Sequence, residues 1–178
     1  MNEWVQSVPP EEFVPVFLPF LMASNVHPNA KGSFVGMSVN HTRRHLLRSV
    51  YEGIAFCHKM HIDRLLQSRA APPVSVGLAG GAANSPVWTQ MFADILQLPV
   101  ETVSAGETGA LGCAIAVAAA VGDYPDLASA VQGMCSVSPA VQPDPDKAEI
   151  YGKKYVLYKK TIEALDGLWD EMQTLIED

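Results

Sequence analysis

The sequence contains little cysteine and little charge. Its 178 residues include three cysteines, and Cys57, Cys113 and Cys135 lie far apart without a C-x-x-C pair. An odd number of separated cysteines does not suit the disulfide framework of a small secreted domain, so we predict a reduced, cytoplasmic protein. Charged residues make up only 17% of the chain, and the formal net charge is -7. Because nucleic-acid surfaces need clustered Lys and Arg, this balance argues against a DNA or RNA partner.

Long hydrophobic runs are also missing. No apolar run reaches about 18 residues, the length that a membrane-spanning helix needs. The first residues, Met1 to Trp4, carry neither the basic region nor the apolar core of a signal peptide. We therefore expect no membrane partner. The apolar content of 48% is enough to build a core, and the length fits one domain.

Several common catalytic motifs are absent. The sequence has no Rossmann G-x-G-x-x-G and no Gly-Lys-Ser/Thr phosphate loop, and no Ser-His-Asp or Cys-His pattern stands in a recognisable context. His41 and His45 are four residues apart, and His58 and His61 are three apart, as two metal ligands on one helix can be. The nearby carboxylate of Asp63 points elsewhere on that helix. We therefore favour a half-exposed helix surface and predict no metal site.

Two glutamates are candidate general bases. Glu52 lies inside a long predicted helix beside its apolar stripe, and Glu107 lies just before another helix. A buried Glu becomes a base when its pKa is raised. Pairing or helix capping is the more common role, and we favour it here.

One stretch joins a strand to a helix through two glycines. The run from Val74 to Leu78 alternates branched and small residues, as a half-buried strand does. Gly80 and Gly81 then remove the side chains at the turn, and Ser85 with Pro86 is a typical helix start. Bare amides beside a helix N-terminus suit a phosphate or the ribose and base of a nucleotide.

Apolar spacing predicts further elements on both sides of this turn. They are an irregular edge strand over Phe13 to Phe20, a strand over Ser33 to Met37, a helix over Thr42 to Gln67, a helix through Val87, Met91, Ile95 and Leu98, a strand over Val100 to Val103, a helix from Gly106 to Val121 ended by Gly122, and a final helix through Tyr151, Tyr155, Tyr158, Ile162, Leu165, Trp169, Met172 and Ile176. Asp146 and Glu149 resemble a capping box before the final helix. Residues 1–12 form a poorly defined N-terminal segment, so the predicted domain covers 13–178.

Three segments resemble the C-terminal domain of the FGGY carbohydrate kinases, a family of the actin-like and hexokinase-like ATPases. They are Gly32 to Met37 followed after seven residues by His45 to Glu52, the turn Gly80 to Trp88 with Phe92 to Leu96, and Glu107 to Ala114. The first segment fits the family's C-terminal signature position by position. The runs Leu18 to Leu21, Ala23 to Asn25 and Tyr51 to Phe56 are most similar to pentulose kinases of the L-xylulose kinase kind.

The resemblance implies a fold and a set of nucleotide contacts. It implies an α/β domain of the RNase H-like class, a partial actin/hexokinase-like ATPase C-terminal domain with long flanking helices. In this family the second glycine of the turn and the residue four positions on contact the nucleotide, which are Gly81 and Ser85 here. Gly80 and Ala82 would flank it. Ser85 departs from members with Asn at this position, although its shorter side chain can still bond a ribose or base atom.

The resemblance also implies a reaction, in which ATP with Mg²⁺ phosphorylates a hydroxyl of a pentulose such as L-xylulose. In the family the catalytic Asp, the sugar-binding residues and the phosphate turn come from segments that would precede Met1. We therefore predict no catalytic residue and no metal ligand in this chain, which should be inactive alone. ATP and a sugar would be partners of the whole enzyme, and a homo-oligomer is compatible with this interpretation.

Two other function classes remain open. The first is a non-catalytic module that binds nucleotide or supports assembly. The second is a nicotinamide-dependent oxidoreductase, suggested only by the strand-Gly-Gly-helix unit. That unit lacks the third glycine and an acidic ribose ligand in the right strand context. Glu101 falls near the required distance, but the intervening pattern is closer to the kinase turn.

Overall fold

The computed structural model describes residues 1–22, 24–68, 71, 73–103 and 107–177. Ala23 and Gly106, which belong to the sequence patterns above, lie outside the described residues. The helices are α1 (Asn2–Gln6), α2 (Arg43–Leu66), α3 (Pro86–Leu96), α4 (Thr108–Val121), α5 (Leu127–Met134), α6 (Ala148–Leu165) and α7 (Trp169–Glu177), and the strands are β1 (Val16–Leu18), β2 (Ser33–Val35), β3 (Val76–Leu78) and β4 (Val100–Thr102). Short 3₁₀ turns cover Gly81–Asn84, Pro145–Lys147 and Asp166–Leu168.

The long helix α2 is the central element of the fold. Thr42 caps its start, where the Thr42 N–H donates to His45 Nδ1 at 2.9 Å, and Gln67 caps its end. Its bounds confirm the helix predicted from Thr42 to Gln67. One face buries Tyr51, Ala55 and Phe56 against the neighbouring helices. The helix therefore organises the core on one side.

The two strands predicted over Phe13 to Phe20 and Ser33 to Met37 are present and form a hairpin. Strands β1 and β2 pair antiparallel, with Phe17 opposite Phe34. Pro15 precedes the first strand and Pro19 follows it, so neither removes a ladder hydrogen bond, which explains why the strand is short. Leu18 is fully buried. The hairpin thus lies against α2 as an inner element.

The second sheet is parallel and holds the glycine turn. Strands β3 and β4 pair in register, with Val76 opposite Val100, and α3 connects them. Val100 and Val103 also form antiparallel bridges with Val141 and Val137. In parallel sheets ligands bind beyond the carboxyl ends of the strands. Because the two glycines follow β3 directly, they lie at that edge.

The core sits between α2, α3 and α6. Phe56 of α2 stacks on Tyr155 of α6 at 5.9 Å between ring centroids and also meets Tyr158 at 5.6 Å. From α3, Met91 and Phe92 pack into the same cluster. Tyrosines at helical spacing therefore fill this core, as the final-helix pattern predicted. Among the described residues no helix combines the length and apolarity needed to cross a bilayer.

The structure differs from the sequence prediction in four places. Residues 1–12 contain a helix, α1, whose Val5 is fully buried. The region after Gly122 contains α5, which the pattern did not indicate. The Asp146 capping box is wrong, because the Asp144 side chain accepts the Asp146 N–H and caps a 3₁₀ turn instead. The final helix is interrupted at Asp166–Leu168, where Asp and Gly weaken helix formation.

Beyond that interruption the predicted apolar face is only partly buried. Trp169 is fully buried, whereas Met172 is 40% exposed and Ile176 65% exposed. The apolar spacing that predicts the final helix therefore does not make all of its members core residues. The described chain provides Trp169 with a pocket but gives the last turns of α7 no apolar surface to cover. Helical spacing alone does not reveal this difference.

Candidate functional site

The glycine turn adopts a backbone that requires glycine. Gly80 has φ of 81° and ψ of -162°, a region that side chains with a Cβ rarely enter. A Cβ at Gly80 or Gly81 would meet no atom within 4 Å. The turn is therefore open to a neighbour, and a ligand has room to reach the backbone.

Ser85 ends the turn and starts α3. Its hydroxyl oxygen accepts the Trp88 N–H at 3.2 Å, and Pro86 occupies the first helical position. The predicted helix start is confirmed. The N-terminal end of a helix carries partial positive charge, so α3 presents a favourable end to an electron-rich ligand.

A cleft of about 550 Å³ opens beside this turn. Its walls come from three separate parts of the chain, Met1, Asn2 and Glu3 from the N-terminus, Tyr51 from α2, and Gly81, Asn84 and Ser85 from the turn. The cleft is wide open to solvent, so a ligand there would contact this chain on one side.

Two aromatic side chains support the back of the cleft. The rings of Tyr51 and Trp88 stack with centroids 4.3 Å apart and planes 24° apart. Trp88 Nε1 donates to the Tyr51 carbonyl oxygen at 3.2 Å. The stack and this hydrogen bond hold the start of α3 against α2 on the Tyr51 side of the cleft.

The predicted site residues divide between the cleft and its surroundings. Gly81 and Ser85 line the cleft, and Gly80 precedes it at the positive-φ position. Ala82 instead packs in part against the hydrophobic core. Whether any of the four contacts a nucleotide stays a prediction.

Sequence reasoning missed other cleft residues. Asn84 stands inside the glycine segment and offers an exposed amide, so an inventory of polar groups at the turn would have found it. Asn2 and Glu3 are 80 or so positions away in the chain and belong to no recognisable pattern. Only the folded structure brings α1 to the turn.

The candidate base Glu52 is engaged in a buried ion-pair network. Its carboxylate accepts from Arg48 Nε at 2.7 Å and from Lys154 Nζ at 3.0 Å. Burial lowers the pKa of Lys154, and the Glu52 carboxylate opposes that shift. Arg48 also donates to Tyr151 Oη at 2.8 Å. Glu52 therefore pairs, as the favoured interpretation had it.

The histidine pairs take part in local contacts. His45 Nε2 lies 2.7 Å from Glu12 Oε1, and His58 meets the Phe92 ring edge-on at 5.6 Å. Burial lowers the pKa of His58, and the neighbouring His61 adds to that shift. In the described ranges no three His, Cys, Asp or Glu side chains are grouped to hold a metal ion.

Residues 2–121 match the C-terminal domain of the FGGY family of carbohydrate kinases. The chain belongs to this family. The FGGY match begins at α1, includes the glycine turn and ends with α4. It therefore covers every residue that lines the cleft except Met1.

Relatives and solved structures agree with the FGGY assignment. The chain is 36% identical over 167 residues to the L-xylulose/3-keto-L-gulonate kinase of Escherichia coli K12, covering 94% of this chain and 33% of that protein. It is 33% identical to a probable L-xylulose kinase of Pasteurella multocida, covering 94% and 34%. A ligand-bound xylulose kinase from Lactobacillus acidophilus superposes with a TM-score of 0.80 at 27% identity, over 96% of this chain and 35% of that one.

These matches confirm the fold class expected from the sequence. The structural neighbours are FGGY sugar kinases, so the chain has the actin/hexokinase-like ATPase fold of an α/β domain in partial form. The chain spans about a third of the length of the relatives it matches.

Proposed function

We propose that this chain forms the adenosine-binding side of an ATP-dependent sugar kinase. The observation that carries the proposal is the cleft at the carboxyl edge of β3, where Gly81 exposes bare backbone beside the start of α3. Membership of the FGGY family supports ATP as the nucleotide.

The chain's own residues would bind and orient rather than react. Glycines at 80 and 81 leave space for a flat base or a ribose to approach the backbone. The Tyr51–Trp88 stack keeps that surface fixed. Phosphoryl transfer depends on positioning and on electrostatic stabilisation, so a rigid nucleoside site contributes through alignment.

The reacting groups lie elsewhere in this proposal. The cleft contains one carboxylate, Glu3, and the described residues hold no metal cluster. We infer that the catalytic base, the sugar pocket and the ligands of Mg²⁺ come from other parts of a longer polypeptide working in the cytoplasm. Mg²⁺ would neutralise charge on the transferred phosphoryl group. The names of the relatives favour a pentulose such as L-xylulose as substrate.

The first test separates this proposal from a non-catalytic module. We expect the longer polypeptide that contains this segment to phosphorylate one or more pentuloses with ATP, and the 178-residue chain alone to give no sugar phosphate. A coupled ADP-release assay over a pentulose panel measures both. Turnover by the short chain alone contradicts the assignment of the reacting groups. A longer polypeptide that binds nucleotide without turnover favours the module.

The second test places the nucleotide in the cleft. Replacing Gly81→Asp puts a carboxylate where the backbone is open, and we expect the Kd for an ATP analogue to rise about tenfold or more. Calorimetric titration of the longer polypeptide measures it. Gly152→Asp is the control, because Gly152 lies exposed on α6 with no atom within 4 Å of an added Cβ. If Gly81→Asp and Gly152→Asp both bind the ATP analogue as tightly as the parent protein, Gly81 is not part of the nucleotide site.

A further inference from the structure

The hydroxyl of Ser85, the side chain expected to contact the nucleotide, is already engaged. It donates to Asn2 Oδ1 at 2.8 Å, and its oxygen accepts the Trp88 N–H at 3.2 Å. A serine hydroxyl has one hydrogen to donate. Ser85 is also only 8% exposed. It therefore has no free donor to offer a ligand in the cleft.

In Asn2 the acceptor oxygen is engaged and, within the described part of the chain, the amide donor is free. Its Oδ1 accepts from Ser85 and, at 3.4 Å, from the Tyr51 hydroxyl, which occupies both lone pairs of that oxygen. Its Nδ2 group makes no hydrogen bond within 1–22, 24–68, 71, 73–103 and 107–177. Asn2 is half-buried in the wall of the same cleft. The amide therefore has its acceptor fixed and its donor free.

We propose that Asn2 donates the side-chain hydrogen bond from this wall to the nucleoside, and that Ser85 is a positioning residue acting through Asn2. The proposal rests on the nucleotide site proposed above. The matching group on the ligand is a neutral acceptor, a ring nitrogen of the base or a ribose oxygen. Because two hydroxyls hold the amide plane, binding orders little that is not already ordered.

Asn84 is the natural comparison in the same cleft. Its side chain is exposed, and within the described ranges no hydrogen bond holds it. Any contact it made would carry the entropy cost of ordering a free side chain. We therefore expect Asn84 to contribute less than Asn2.

The test removes the donor and keeps the acceptors. Asn2→Asp leaves two oxygens for the Ser85 and Tyr51 hydroxyls but has no N–H. In the longer kinase polypeptide we expect the Kd for a non-hydrolysable ATP analogue to rise about three- to tenfold, the effect of one lost hydrogen bond. KM for ATP should rise with it, while kcat and the melting temperature stay unchanged.

The control is Asn84→Asp, which adds the same charge to the same wall without touching the Ser85 and Tyr51 hydroxyls. We expect a change below about twofold. A second measurement uses Ser85→Ala, which should weaken binding in the parent protein but have no further effect on binding once Asn2→Ala is present. Such coupling is what an indirect role predicts.

Each other outcome overturns the proposal. Parental affinity of Asn2→Asp shows that Asn2 donates nothing to the nucleotide. Equal losses in Asn2→Asp and Asn84→Asp show that charge causes the effect, and additive effects of Ser85→Ala and Asn2→Ala show that Ser85 acts on its own. The proposed function survives all three results if Gly81→Asp still weakens binding. If Gly81→Asp binds as the parent protein does, the cleft itself is excluded.

Discussion

At the residue scale, the molecule contains a buried charge network that sequence patterns described only in part. Arg48 is 4% exposed and Glu52 3% exposed, and they lie one helical turn apart on α2. Their spacing of four residues is the one at which side chains on a helix can pair. Lys154, which comes 102 positions after Glu52, was not predictable, because only tertiary packing brings α6 to α2. The network therefore joins elements distant in the chain.

Removing the central carboxylate should be costly. Glu52→Gln keeps the shape of the side chain but leaves Arg48 and Lys154 without their anion. We expect the free energy of unfolding to fall by about 3 kcal/mol, the typical effect of breaking a buried pair. The pKa of Lys154 should fall further, since Glu52 no longer opposes the effect of burial. Urea denaturation measures the first effect.

A matched control exists on the surface. Glu149 pairs with Lys153, and their side chains are 80% and 70% exposed. The same change, Glu149→Gln, should leave the free energy of unfolding nearly unchanged, because exposed pairs contribute little. Similar losses for Glu52→Gln and Glu149→Gln would show that the buried network adds nothing to stability.

The candidate site also combines residues that the sequence identifies with residues that only tertiary packing brings together. Gly80, Gly81 and Ser85 are identifiable from the sequence, since glycine at a tight turn and serine before proline have local physical causes. Asn2 and Tyr51 are not, because their place in the cleft depends on how α1 and α2 pack. Local chemistry predicted the turn, and tertiary contacts supplied the rest of the wall.

At the element scale, the sequence predicts the helices with a long apolar pattern and clear caps, and it does not predict the helix with a short pattern. The bounds of α2 and the end of α4 at Gly122, which has φ of 89°, follow from caps that the sequence shows. Helix α5 was missed because its eight residues carry too short a pattern. The break before α7 is not predicted, because the apolar spacing of the predicted final helix continues across Gly167.

A glycine inside α2 sets how closely the hairpin can approach. A Cβ on Gly53 would clash with the backbone carbonyl of Phe17 in β1. Gly53→Ala should therefore lower the free energy of unfolding by about 2 kcal/mol, as overpacking does, despite the better helix propensity of alanine. Thermal or urea unfolding monitored by circular dichroism measures it.

Gly152 provides the comparison for that substitution. It lies exposed on α6, and an added Cβ would meet nothing within 4 Å. Gly152→Ala should stabilise the protein by about 0.5 to 1 kcal/mol through helix propensity. If Gly53→Ala were equally stabilising, the close approach of β1 to α2 would have no energetic importance.

At the scale of the whole molecule, apolar surface is unevenly covered. Helix α4 is rich in Ala, Gly and Val, yet Ile115 is its one buried residue among those described. On one face Val117 is 59% exposed and Val121 67% exposed. Within the described residues, α5 is the main neighbour of α4. Exposed patches of this kind favour association.

The isolated chain should therefore self-associate through α4. We expect its apparent mass in sedimentation experiments to rise with concentration, together with binding of a hydrophobic dye. Val117→Lys should reduce both, because a charge opposes burial of that face. Val39→Lys, at a fully exposed loop position, is the control and should change neither. A chain that stays monomeric and binds no dye would contradict this expectation.

The link between Asn2 and Ser85 has a consequence for the order of folding. The two residues are 83 positions apart, and Tyr51, whose hydroxyl also donates to Asn2, is 49 positions from it. Closing so long a loop costs entropy that only later packing of α2 and α3 offsets. During synthesis Asn2 is made before Ser85, so their hydrogen bond can form only after residue 85 has been added. We therefore expect the cleft to be completed after α2 and α3 have packed.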